Sequence, residues 1–286
     1  NISLVAGHSV GVIAAPALAR TMTEIDAMKL VHLRGQEMAK AASIAPAGMA
    51  AVLGGERSVV LAAISELGLV AANDNGAGQI VAAGNLEALS QLAPDGARVR
   101  PLAVAGAFHT SFMEPAVAPL RTMAANIATT PAKVSVISNR DGAVVSDGRE
   151  VLDRIVSQIA NPVRWDLCME TLNELGVTAV IEMPPAGTLV GLIKRALPNV
   201  ETLALKTPDD IPAALDLIGR HGSASAIDNQ PTWRMIVAPF AGYFTSAGIE
   251  VGTHLAAGAV IGTVSNKRES AELKSTHAGT LIEIIV

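Results

Sequence analysis

"SLVAGHSVGVIAA", residues 3–15, is an apolar run that breaks into Gly7-His8-Ser9-Val10-Gly11 and then becomes apolar again. The residues before the break, "ISLV", have the length and β-branched character of a short buried strand, and "VGVIAAPALA" after it opens an Ala-rich helix. Two glycines flanking a serine at a strand-to-helix junction make the G-x-S-x-G pattern. Residues without a Cβ permit so tight a turn, and the turn lifts the serine hydroxyl clear of the sheet edge. Ser9 is therefore the candidate nucleophile.

The bulk numbers bound what that serine can serve. The chain has 286 residues, 50% of them hydrophobic and 16% charged, enough for one large core and a smaller domain. A formal net charge of −5 argues against nucleic acid, which asks for a basic face. Six histidines (8, 32, 109, 221, 254 and 277) lack ligand-like spacing and Cys168 is the single cysteine, so no metal site is expected. In "WDLCMETL" Cys168 reads as a small core residue, which suits a reducing cytoplasm. His8, Ser9, Gly11 and Pro16 interrupt the opening run before it reaches the length of a membrane span, and no signal peptide pattern is present. The expectation is a cytoplasmic protein; its start at Asn1, without Met and already within a core strand, reads as that of a fragment or processed piece.

Outward from the serine, residues 1–43 read as the first part of an α/β core, with a second helix over Glu24–Ala42 whose apolar face holds Ile25, Met28, Leu30, Val31 and Met38. Residues 44–106 change character. Short strands "GMAAVLG", "LVAANDN", "QIVAAG" and "RVRPLAV" alternate with two helical pieces in β-α-β-β-α-β order, which predicts an inserted ferredoxin-like subdomain. Over 107–206 helices alternate with the strands "VSVISN" and "TAVIEM", returning the chain to the α/β layer. Residues 207–230 read as mixed helix and polar linker, and 231–286 as all-β.

A serine nucleophile needs a base within hydrogen-bond reach and a group to orient that base. His109, in "GAFHTSFMEP", sits on a connection between the strand "PLAVAG" and a helix, where catalytic groups are commonly displayed. His8 is the second candidate but is tied into the turn, and His32 lies on an amphipathic helix. His221, His254 and His277 fall outside the expected catalytic region. Spacing alone does not bring Ser9 to His109.

Four separated motifs, "GHSVG", "GAFHTSFM", "NPVRW" and "EMPPAGTLVGLIKR", resemble the malonyl-CoA:acyl-carrier-protein transacylases and the acyltransferase domains of polyketide synthases, from about Ile2 to Lys206. The resemblance implies an α/β-hydrolase-like core with the ferredoxin-like insertion. It implies Ser9 as nucleophile, His109 as base, and Gln158 in "SQIANPVRW" orienting His109 through its backbone carbonyl. Arg34 in "LVHLRGQEM" is implied to hold the free carboxylate of malonyl. The backbone N–H of Val10 is implied as one oxyanion donor, and Phe108 as a ring that crowds an α-methyl branch and so favours unbranched malonyl. No cofactor is implied; the partners are malonyl-CoA and an acyl carrier protein. Two departures stand out: Val12 follows the second elbow glycine where the family usually has Glu, and the family's N-terminal G-Q-G-S/Q type loop is absent. A preceding segment or a second chain is expected to supply the other oxyanion donor.

The tail carries a weak internal repeat, "VAPFAGYF" at 237–244 and "KSTHAGTL" at 274–281. Its Gly242, Gly252, Gly258 and Gly279 resemble the glycine positions of biotinyl/lipoyl carrier domains, which implies an all-β sandwich with Arg268 at the hairpin tip and Lys267 beside it. "SNKRES" has neither the biotin-type MKM nor the lipoyl-type DKA, so covalent biotin or lipoate is not expected. The leading expectation is a malonyl transfer enzyme. The alternatives are a serine thioesterase or esterase of the same fold, and a non-catalytic scaffold docking partners through its tail.

Overall fold

The computed structural model describes residues 2–222, 236–275, 278–281 and 283–284. The chain divides into two compact units, residues 1–223 and 224–286. The first opens with β1 (Leu4–Ala6), α1 (Gly11–Leu18) and α2 (Glu24–Ala42). The α2 helix starts where Thr23 accepts the Asp26 N–H at 3.1 Å, with Glu24 and Asp26 in its first turn facing the positive end of the helix dipole. Its buried row is Ala27, Leu30, Met38 and Ala41, and Ile25 and Met28 are each 67% exposed. The apolar face expected to include those two is thus corrected: inward positions repeat as 27, 30, 34, 38 and 41, so Arg34 rather than Met28 shares the side that meets the core.

There follow β2 (Ala47–Gly54), α3 (Arg57–Glu66), β3 (Val70–Asp74), β4 (Gln79–Asn85), α4 (Leu86–Gln91) and β5 (Ala97–Pro101), then α5 (Glu114–Ala125), β6 (Ser135–Ile137), β7 (Val144–Val145), α6 (Gly148–Gln158) and β8 (Val163–Arg164). After them come α7 (Trp165–Glu174), β9 (Ala179–Glu182), α8 (Thr188–Ala196), β10 (Glu201–Ala204) and α9 (Ile211–His221). One sheet runs β5-β2-β4-β3-β8, antiparallel except that β8 joins β3 in parallel. One of its faces lies under α3 and α4 through Val52, Val60, Ile64, Leu69 and Ile80. The other, with Met49, Val81 and Ala83, packs on Ala107 and Phe108 and so braces the segment that carries His109.

β1 and β6 pair in parallel, Leu4 with Ser135 and Ala6 with Ile137, and β7 adds to β6. Alternation along β1 sends Val5 into the cluster built by α1, α2, α5 and α6, and Leu4 and Ala6 toward that of α7 and α8. The pair is therefore covered on both faces, as parallel strands require. β9 pairs with β10 in a separate two-stranded parallel sheet, whereas "TAVIEM" was expected in the same layer as β1; Val180 shares the α7/α8 cluster with Leu4 and Ala6 without a strand-to-strand ladder among the described residues. Within 207–230, read as mixed helix and polar linker, α9 buries Ala214 and Leu217 and ties its end to β10, Arg220 Nη2 donating to Glu201 Oε1 at 2.7 Å. Residues 223–230 lie outside the described residues. No helix among the described residues is long and apolar enough to cross a membrane.

The second unit contains β11 (Tyr243–Ser246), β12 (His254–Leu255), β13 (Val260–Ser265), β14 (Ser270–Lys274) and β15 (Gly279–Thr280). β11-β13-β14 form one antiparallel sheet and β12-β15 a second. Lys267 and Arg268 lie exposed at the β13–β14 tip, where Asn266 Oδ1 accepts the N–H groups of Arg268 and Glu269 at 2.8 and 3.0 Å. His277, in the second half of the sequence repeat, lies outside the described residues.

Candidate active site

β1 delivers the chain into a turn that the α1 helix immediately resumes. Gly11 N–H reaches His8 O at 2.9 Å and Val12 N–H reaches Ser9 O at 3.2 Å. Ser9 stands at φ +53°, in the left-handed region that L-residues avoid. The two elbow glycines differ in their need: a methyl on Gly7 would overlap the backbone of Gly11 and Val12, whereas one on Gly11 meets open space. Gly7→Ala is therefore expected to cost about 3 kcal/mol or more, and Gly11→Ala to leave stability level or raised by up to about 1 kcal/mol, as urea midpoints would register.

Phe108 and His109 follow β5. His109 is 2% exposed, at φ +62°, and its ring bridges two partners: Nε2 lies 2.7 Å from Ser9 Oγ and Nδ1 lies 2.9 Å from the backbone oxygen of Gln158. A carbonyl oxygen only accepts, so Nδ1 carries the proton and the Nε2 lone pair faces the hydroxyl. From the inward row of α2, Arg34 Nη2 donates to Ser9 Oγ at 3.3 Å. Two side chains, 25 and 100 positions from Ser9 in sequence, thus converge on its hydroxyl oxygen.

The charges are set by burial. Desolvation holds the His109 imidazole down at about 4, against the lift of the Gln158 carbonyl and with the Arg34 charge acting in the same sense as burial. It is neutral at pH 7, the state in which Nε2 can accept a proton. Burial also lowers Arg34 to about 10, and the guanidinium remains a cation. Among the described residues Arg34 makes no ion pair with a carboxylate. A half-buried cation without a counter-ion, aimed at a hydroxyl, is the chemistry of a site for an anionic ligand. Val10 caps the N-terminus of α1, and its N–H makes no hydrogen bond among the described residues.

Two residues of the site carry no sequence signal beyond a polar turn. Asn139, two residues past β6, accepts the Ser9 N–H on Oδ1 at 3.0 Å; Asn75, in the β3–β4 turn, faces His8 Nε2 at 2.7 Å. His8 also stands edge-on to Trp165, ring centroids 5.5 Å apart, and burial lowers it against the lift of Asn75. Both asparagines sit in stretches, "SNRDG" and "NDNGAG", that read as ordinary turns; only strand register reveals where they point. Cys168 is fully buried and its thiol is pushed up to about 12, so it offers no competing nucleophile at neutral pH. Phe108 is half-buried between the α1/α2 cluster and the Met49/Val81 face. His32 is exposed on α2. Among the described residues no group of three or more His, Cys, Asp or Glu is placed to hold a metal ion.

The acyl transferase domain family matches residues 2–213. A malonyl CoA-acyl carrier protein transacylase of Mycobacterium bovis is 54% identical over 211 residues, covering 73% of this chain and 70% of that one. A crystal structure of MCAT from Mycobacterium tuberculosis superposes with a TM-score of 0.72 at 53% identity, covering 73% of this chain and 70% of that one. A type II PKS acyl-carrier protein in complex with its malonyl-transacylase matches at a TM-score of 0.70 and 29% identity, over 75% and 71% of the respective chains. The mixed α/β fold of the first unit is the one these structures have, and with a matched family model over most of its length this chain belongs to the acyl transferase domain family.

Proposed function

We propose that this protein moves a malonyl group from malonyl-CoA to the phosphopantetheine thiol of an acyl carrier protein through a malonyl-serine ester. The observation that carries the reading is Arg34, a cation with no carboxylate partner among the described residues, lying 3.3 Å from the hydroxyl of Ser9. Malonyl differs from acetyl by one carboxylate, and a guanidinium grips a carboxylate with two parallel hydrogen bonds. His109 Nε2 takes the Ser9 proton as Oγ attacks the thioester carbonyl, and Val10 N–H faces the oxyanion. The tetrahedral intermediate collapses with loss of the CoA thiolate, which takes the proton back from His109. The carrier thiol then repeats the steps in reverse, freeing Ser9. Gln158 keeps His109 in the tautomer with its lone pair toward Ser9, where a carboxylate serves in other triads.

The parallel β1–β6 pair with its elbow supports reading the core as α/β-hydrolase-like, and the β5-β2-β4-β3 order supports a ferredoxin-like insertion at 44–106. The antiparallel second unit with its exposed tip supports a biotinyl/lipoyl-like module in which Lys267 and Arg268 stay unmodified. Phe108 beside the base favours an unbranched extender unit.

The test is the mass of the Ser9 peptide after brief exposure to malonyl-CoA and, separately, acetyl-CoA, over a pH series. A gain of one malonyl group on Ser9, and little from acetyl-CoA, is expected; label recovered as free malonate with none on the carrier protein would overturn transfer in favour of hydrolysis. Since His109 is held at about 4, labelling should rise from pH 3 to 5 and stay level from pH 6 to 8. Stability follows the same group with its own sign. The unfolded imidazole takes a proton near 6.5 and the folded one near 4, so stability falls as pH drops through that window, by about 3 kcal/mol in full.

A further inference from the structure

Asn139 belongs to no catalytic step described above, yet it is 2% exposed and both polar atoms of its side chain are engaged. Its Oδ1 accepts two hydrogen bonds, from Ser9 N–H at 3.0 Å and from Gln158 Nε2 at 2.9 Å. Its Nδ2 donates to Cys168 Sγ at 3.5 Å, and its backbone oxygen accepts the Arg164 N–H at 2.7 Å. A backbone N–H only donates, so the atom facing Ser9 must be the amide oxygen, and that in turn fixes the Gln158 amide with its nitrogen toward Asn139. The β1–β6 register accounts for the meeting. Ala6 pairs with Ile137, so the carboxyl ends of both strands leave the sheet side by side, Ser9 three residues on and Asn139 two.

One oxygen atom therefore ties the backbone of the serine to the side chain of the residue whose carbonyl orients His109. We propose that Asn139 is a positioning residue that sets the Ser9–His109 alignment, holding the serine at its positive φ and Gln158 in place from a single acceptor. It also reserves the Ser9 N–H, which leaves the Val10 N–H as the donor from this turn for an oxyanion. This inference rests on the Ser9–His109 pair acting as nucleophile and base, as in the proposed function.

A fluorophosphonate probe reports the reactivity of Ser9 without any thioester, so it separates this inference from the choice of substrate. On the full chain, Asn139→Ala is expected to slow labelling about 100-fold, the scale of an ångström misplacement at a reacting group. Asn139→Asp keeps the acceptor and adds a negative charge beside Gln158. It should restore labelling to within about fivefold and move the midpoint of the pH–rate curve up by about one unit. Wild-type labelling rates in Asn139→Ala, or an Asn139→Asp variant as slow as Asn139→Ala or with an unmoved midpoint, would overturn the proposal. Should Asn139→Ala fail to fold, the rate and midpoint of Asn139→Asp decide alone. A wild-type protein that takes the fluorophosphonate on Ser9 but not malonyl from malonyl-CoA would sink the transfer reading and leave the Asn139 comparison readable; one that takes neither sinks both.

Discussion

Alanine at position 109 is expected to lower the rate of Ser9 acylation by malonyl-CoA by roughly 10⁴-fold or more, with KM for malonyl-CoA changed little. The serine hydroxyl is a weak nucleophile until a base removes its proton, and Nε2 of His109 at 2.7 Å is the acceptor in place for it. Arg34, also within hydrogen-bond reach of Oγ, is a donor only and cannot substitute. Because the two side chains act as one unit, a Ser9→Ala/His109→Ala double variant should be no slower than the poorer single variant. Acid-quenched acylation and intact mass follow His109→Ala, and residual malonyl transfer to the carrier protein compares all three. Rates in His109→Ala within tenfold of wild type would mean that another group takes the proton. The variant also removes one of two hydrogen bonds to the Gln158 carbonyl, which keeps that of the Asn161 N–H at 3.1 Å, a loss of about 0.5–1.5 kcal/mol. The urea midpoint should therefore fall modestly while the far-ultraviolet signal of the folded state persists, which separates lost chemistry from lost fold.

How much of this arrangement lay open in the sequence depends on the range of the interaction. The elbow is local: Gly7 has to lack a Cβ because the backbone of Gly11 stands four residues away, and a short motif captures that. The α2 helix was legible in its limits, since Thr23 and the acidic first turn are local signals too. Its facing was not. Ile25 and Met28 look like core residues in a helical wheel, but the neighbouring helices cover the 27-30-34-38-41 row, and that is decided by packing. The same packing turns Arg34 inward while His32, two positions away, stays exposed. Asn139 was least legible of all. Its role depends on β6 lying parallel to β1 in one register, and a shift of one residue would send its side chain to the other face.

Replacing Arg34 with methionine should reduce kcat/KM for malonyl-CoA by about 10²- to 10⁴-fold and leave that for acetyl-CoA unchanged or raised. Each charge-assisted hydrogen bond to the malonyl carboxylate is worth about 1.5–3 kcal/mol, and a bidentate grip comprises two. Acetyl-CoA makes neither, and with wild-type protein it leaves the guanidinium desolvated and unpaired. Arg34→Lys keeps the charge but not the planar fork, so it should recover only part of the preference. Stability is expected to move in the opposite direction. Burial depresses Arg34 from its usual 12.5 to about 10, which is the cost of holding a cation away from water, about 3 kcal/mol. Methionine preserves much of the apolar stem without the charge, so Arg34→Met should unfold at a higher urea concentration than wild type, by up to that amount. A position where the variant is firmer but less selective has been shaped by its ligand and not by the fold. If Arg34→Met instead proved less stable and kept its preference for malonyl-CoA, the guanidinium would be a structural strut, and the case for a dicarboxylic acyl group would go with it.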